Sequence, residues 1–174
     1  MPARGTATDR QTAVGRLLAS GRLTASGRLN VDGSGGGGGD FVQAQTVQVT
    51  AGNLTTTSAT FGDVAGMSIT MATAAARCLV VVICIGHMNG ATDMCLDIDI
   101  DGARQGQDYG LCFCTGANTV NQNLCFSRLT GVLTAASHTF KLQARVQPSG
   151  TFTLFASTTI SPLIFTVIET SLTA

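Results

Sequence analysis

From Phe41 to the end of the chain, short apolar stretches alternate with clusters of Gly, Asn, Asp and Ser. A period of two puts every second side chain on one face of a strand, and the small polar residues supply the turns between strands. Strands are predicted near 41–50, 54–61, 67–72, 77–86, 94–101, 104–113, 120–129, 138–147, 151–157 and 163–170. Asp101-Gly102 predicts a two-residue hairpin, because a type I′ turn needs positive φ at both central positions. Pro148-Ser149-Gly150 predicts that HTFKLQARV turns back into TFTLFA. The longest apolar run, CLVVVICIG from Cys78, is far shorter than the roughly 20 residues of a membrane helix and is rich in Val and Ile. It reads as a buried strand. Consecutive antiparallel strands without helical interruption predict an all-β fold, an antiparallel β-sandwich of the jelly-roll type.

The N-terminal part follows a different pattern. Arginines recur every six residues at Arg4, Arg10, Arg16, Arg22 and Arg28, and three hexads, GRLLAS, GRLTAS and GRLNVD, are near copies. A helix does not fit a six-residue period, and a glycine in each hexad costs a helix about 1 kcal/mol relative to alanine. On an extended chain an even period points every arginine one way and Leu17, Leu23 and Leu29 the other. Such a ribbon cannot bury its leucine row alone. It suits a β-stalk wound from sister arms or a tether lying along another protein, and a disordered tail is the plain alternative. A glycine run from Gly33 to Gly39 follows. The chain therefore reads as an extended arm over 1–32, a hinge over 33–40 and a β-sandwich head over 41–174.

Composition sharpens this division. The arm carries five arginines against Asp9 and Asp32, a net charge of +3, whereas the head sets Lys141 and four arginines against seven acids, a net charge of −2. A formally neutral chain with one lysine argues against nucleic acid as a partner, since neutralising phosphates needs a surplus of Lys and Arg. Twelve charged residues across 41–174 amount to about 9%, well below the roughly 25–35% of a monomer surface. Gln, Asn and Thr stand where Lys and Glu would be expected, which suits surfaces covered by copies of the chain. The N-terminus lacks an apolar stretch of signal-peptide length, so synthesis in the cytoplasm and six unbridged cysteines are expected. Neither membrane insertion nor a cofactor is expected.

Candidate chemistry is sparse. No nucleophile elbow, phosphate loop or dinucleotide fingerprint is present, and the two histidines fall in no Ser/His/Asp constellation, so no enzymatic activity is expected. The weak candidate for a metal is calcium at Asp97, Asp99, Asp101 and Asp108, whose spacing follows part of a calcium loop. The interleaved Ile98 and Ile100 explain the same letters as a half-buried strand running into a hairpin. A CxC pair at Cys112 and Cys114 lacks the partner spacing of a zinc site.

Several segments of the head together resemble the jelly-roll domains of bacteriophage virion proteins, which are similar to tumour-necrosis-factor-like trimers. They are FGDVAGMSITM, RCLVVVICIGHM, CLDIDIDGARQG, LTGVLTAASHTFKLQARV and PLIFTVIET. The resemblance implies a homotrimer on a virion surface, attached through its N-terminal arm to the major capsid protein. Residues Arg4, Arg10, Arg16, Leu17, Arg22, Leu23, Arg28 and Leu29 would then make the capsid or stalk contacts. A capsid decoration or cement protein is the first expectation. The receptor-binding tip of a head or tail fibre is the second.

Overall fold

The computed structural model describes residues 41–89, 92–116, 121–147, 150–158 and 161–171. The chain divides into two units, 1–36 and 37–174, at the glycine run. The arm contacts, the hinge and the Pro148-Ser149 turn lie outside the described residues. What is described is all-β. Eleven strands form two antiparallel sheets packed face to face: β1 (Phe41–Val49), β2 (Leu54–Thr56), β3 (Gly62–Ala72), β4 (Cys78–Asn89), β5 (Thr92–Ile100), β6 (Ala103–Arg104), β7 (Cys112–Gly116), β8 (Asn121–Leu129), β9 (Ser137–Gln147), β10 (Thr151–Leu154) and β11 (Leu163–Thr170).

The first sheet, A, is centred on β4. One edge of β4 pairs with β8 along its length, and the other pairs with β11 near its start and β10 near its end. Strand β1 flanks β11 and β2 flanks β10. The second sheet, B, runs β3, β9, β5, with β6 and β7 sharing the far edge of β5. The core lies between them. Alternate residues of β9 (His138, Phe140, Leu142, Ala144, Val146) and of β4 (Cys78, Val80, Val82, Cys84, Gly86, Met88) point inward and are buried. Phe140, Phe152 and Phe165 are fully buried, each contributing roughly 2–3 kcal/mol by transfer from water. Gly86 occupies an inward position where a Cβ would come within 2.5 Å of Leu124 Cδ1 and 2.7 Å of Phe152 Cε2. The glycine is fixed by its neighbours' bulk.

Most predicted strands are present, and the exceptions have local causes. The Asp101-Gly102 hairpin forms with φ of 53° and 87°, closing β5 onto β6. The predicted strand over 104–113 is interrupted. After β6 the chain lifts off as a loop across 105–111, because Asp97 captures the Gly106 amide and Gly110 takes a positive φ. The predicted strand over 54–61 stops at Thr56, where the Thr56 and Ser58 side chains bond the local backbone and close a turn. Strands β9 and β10 do not pair with each other. β10 lies in sheet A beside β4 and β2, so this connection crosses between the sheets.

The run CLVVVICIG is buried on one face only. Its inward row is in the core, while Leu79, Val81, Ile83 and Ile85 point out of sheet A, with Ile83 43% exposed. A sandwich covers each sheet on one side, so continuous apolar sequence in a central strand leaves an apolar row on the outside.

Candidate functional site

The outer face of sheet A is the first of two surfaces with distinct chemistry. The register sets Leu79, Val81, Ile83 and Ile85 of β4 between Ile164, Thr166 and Ile168 of β11 and Asn123, Cys125, Ser127 and Leu129 of β8. Strand β1 extends the same face with Ala44, Thr46 and Gln48, and the Thr46 and Thr166 hydroxyls lie 3.0 Å apart. At the end of the apolar row, His87 Nδ1 lies 3.0 Å from Asn121 Oδ1. None of these outward positions carries Asp, Glu, Lys or Arg. The carboxylate on β11, Glu169, points inward and is buried, accepting the Ala74 amide and the Gln43 side-chain amide at 2.6 Å each.

The outer face of sheet B is the opposite. Asp63, Asp97, Asp99, Arg104, Lys141 and Arg145 all lie on it, and most are tied into local pairs. Asp97 is fully buried beneath the 105–111 loop. It accepts Arg104 Nε at 2.9 Å, the Gly106 amide at 2.9 Å and the Ile98 amide at 2.8 Å. Asp63 accepts Lys141 Nζ at 2.7 Å and Gln143 Nε2 at 2.8 Å, and these bonds hold its carboxyl below the usual carboxylate range. Phe61 lies between two guanidinium groups, those of Arg104 at 4.0 Å and Arg145 at 5.0 Å from its ring centre.

Sequence-predicted site residues fall into three outcomes. The calcium candidates are not gathered into one cluster. Asp97 is consumed by Arg104 and backbone amides, Asp99 accepts the Gly102 amide at 2.9 Å, and Asp101 accepts His138 and the Thr139 amide. Asp108 lies out on the loop, and no group of three ligating side chains occurs among the described residues. The six cysteines are unbridged. Cys78 and Cys84 share the inward face of β4, and burial raises both thiols, Cys78 to about 11. The arm residues Arg4, Arg10, Arg16, Leu17, Arg22, Leu23, Arg28 and Leu29 lie outside the described residues.

The fold also assembles a constellation that spacing did not reveal. His138, second in β9, directs Nδ1 at Asp101 Oδ2, 2.6 Å away across the hairpin turn. Its Nε2 lies 3.1 Å from the Thr134 carbonyl and 3.4 Å from the Thr134 hydroxyl. These three residue types are those of a nucleophile, base and carboxylate, and they line a cleft of about 360 Å³ with Ile100, Gln105 and the 130–133 segment. Nδ1 faces the Asp101 carboxylate and Nε2 the Thr134 carbonyl, two acceptors that favour the doubly protonated ring. The bond to Asp101 chiefly raises the His138 pKa, aided by the Thr134 carbonyl against the opposing effect of burial. The ring staples Thr134 to the β5–β6 turn.

A third feature is a cavity of about 310 Å³ on the sheet B side, lined by Arg104, Asp108, Tyr109, Arg145 and Gln147. Arg145 is held by the carbonyls of Ala59, at 3.4 Å, and Asp108. Tyr109 and Phe113, each nearly half exposed, meet edge to face at 4.8 Å beside it. Compared with known protein families and with curated proteins, the chain matches none.

Proposed function

We propose that this protein is a virion structural component. In this reading it is a homotrimer whose heads pack together through the outer face of sheet A and whose N-terminal arm attaches to the major capsid protein. The role is that of a decoration or cement protein on the virion surface, structural and not catalytic, made in the host cytoplasm. The observation that carries the reading is the uncharged outer face of sheet A, with the Leu79, Val81, Ile83 and Ile85 row at its centre.

Packing copies around a three-fold axis brings like residues together at the axis, where any charge would meet its own copy. This face has none at its outward positions, and its threonines and asparagines can hydrogen-bond across an interface. A protein that binds only the assembled shell stabilises it by mass action, and three arms on one trimer raise the effective affinity without new contact types. The alternative, the receptor-binding tip of a fibre, is favoured by the cavity beside Arg145, toward the end of the sandwich opposite Phe41.

Light scattering on the full chain tests the assembly, with a parallel sample pelleted alongside shells of the parent particle. We expect the mass of three chains, reduced to one by Ile83→Asp, and co-sedimentation that depends on residues 1–32. A wild-type mass of one chain would overturn the assembly. A trimer that ignores shells would favour the fibre tip.

A further inference from the structure

We propose that the cavity lined by Arg104, Asp108, Tyr109, Arg145 and Gln147 binds a saccharide bearing a single carboxylate. The inference starts from an imbalance of charge. Arg104 is neutralised by the buried Asp97 carboxylate, and Lys141 by Asp63. The charge of Arg145 has no carboxylate within ion-pair distance among the described residues. Arg145 meets two backbone carbonyls, the Cys95 thiol opposite it on β5 and the faces of Phe61 and Tyr109, the latter 5.8 Å away, and its Nε is buried with no hydrogen-bond partner. The guanidinium is thus immobilised beforehand, in a concavity, with no carboxylate in direct contact. Ordering such a side chain opposes binding, and here the side chain is already ordered in the folded protein.

A fixed planar fork is the group that recognises a carboxylate by paired hydrogen bonds. One guanidinium without an ion-pair contact matches one carboxylate better than the near-double charge of a phosphate monoester. The remaining walls fit a sugar. Tyr109 and Phe113 offer exposed aromatic surface for its C–H face, while the exposed Asp108 carboxylate can accept from hydroxyl or acetamido groups. The volume, about 310 Å³, lies at the lower end of small-molecule sites and suits one sugar unit better than a peptide. The site is built within one chain, so it stands or falls separately from the trimer and the shell.

Saturation-transfer NMR on the full-length protein tests this, with the methyl glycoside of N-acetylneuraminic acid as probe and methyl galactoside as the neutral control. We expect transfer to the acidic sugar and none to the neutral one. Arg145→Lys, which keeps the charge and loses the fork, should weaken binding by about tenfold or more. Because Arg145 also holds two loop carbonyls, Tyr109→Ser provides a second variant on an exposed ring. It should weaken the same signal several-fold with an unchanged melting temperature. Absence of transfer to the acidic sugar, equal transfer to both sugars, displacement by millimolar inorganic phosphate, or binding indifferent to both variants would each overturn the proposal.

Discussion

The two sheets of this sandwich have similar inner faces and opposite outer ones. Inside, β4 and β9 alternate in the same way and contribute equally to one core. Outside, sheet A presents Leu79, Val81, Ile83, Ile85, Ile164 and Ile168 among threonines and asparagines, and sheet B presents charged side chains partly roofed by the 105–111 loop. The inner alternation reports the fold. The outer rows differ in what they favour, since an apolar row facing water gains by being covered and a charged row by staying solvated. The sparse charge of the head is therefore an average over unlike surfaces: its charges are concentrated on one sheet, and the outward positions of the other are bare.

The largest effect expected on the charged side comes from its one fully buried carboxylate. Asp97 anchors Arg104, the Gly106 amide and, through them, the loop that supports Phe61 and Tyr109. Removing one member of a buried pair leaves the rest unsatisfied and typically costs about 3–5 kcal/mol. Arg104 is more than a third exposed, so the lower end applies. Asp97→Ala should lose about 3 kcal/mol in denaturant unfolding and make the 105–111 loop a protease site. An unchanged unfolding midpoint would show that the roof over sheet B is held by other contacts.

The sequence carried the fold more legibly than the site. Period-two patterning located nearly every strand, and Asp101-Gly102 announced its turn because few residue pairs tolerate two positive φ values. The interrupted 104–113 segment was hidden, because its cause is Asp97, a partner in a different strand that captures the Gly106 amide. The one-sided burial of β4 was hidden for a related reason: a continuous apolar run looks the same whether its outer row meets a second layer or another copy. Site chemistry was least legible. His138, Asp101 and Thr134 come together only through the pairing of β5 with β9, and Arg145 meets Phe61 and Tyr109 only through the loop. Along the chain Phe61 is distant from both arginines and Arg145 from both aromatics, so no spacing announced these contacts.

A smaller effect is expected at the staple between His138 and Asp101, where the sign of the pH dependence is fixed by two opposite shifts. The His138 pKa is raised above 6.5, chiefly by its bond to Asp101, so its stabilisation is complete below about pH 6.5 and lost as pH rises through the folded value. The Asp101 pKa is lowered below 3.8, chiefly by the Thr139 amide, so its contribution is present above about pH 4 and lost as pH falls through the folded value. Stability from this pair should therefore peak between about pH 4 and 6.5 and decline toward pH 8, by on the order of 1 kcal/mol. His138→Gln should flatten the decline measured by thermal unfolding at pH 5.5, 6.5 and 8. An identical decline in the variant would assign it to another group.

The smallest effect is expected where sheet B most resembles an ordinary surface. Lys141 and Asp63 lie 2.7 Å apart, as close as any ion pair in the molecule's described part save that of His138, yet both side chains are more than a third exposed. Water already solvates both charges, salt screens them, and ordering the long lysine side chain offsets much of what the pair gains. Distance alone would rank this pair above the one between Arg104 and Asp97, whereas burial ranks it far below. Lys141→Met should leave the melting temperature and the oligomeric mass unchanged at physiological salt. A clear loss of stability in that variant, alongside a mild one in Asp97→Ala, would reverse the order and show that the charges of sheet B act as a connected network, with the exposed members as important as the buried one.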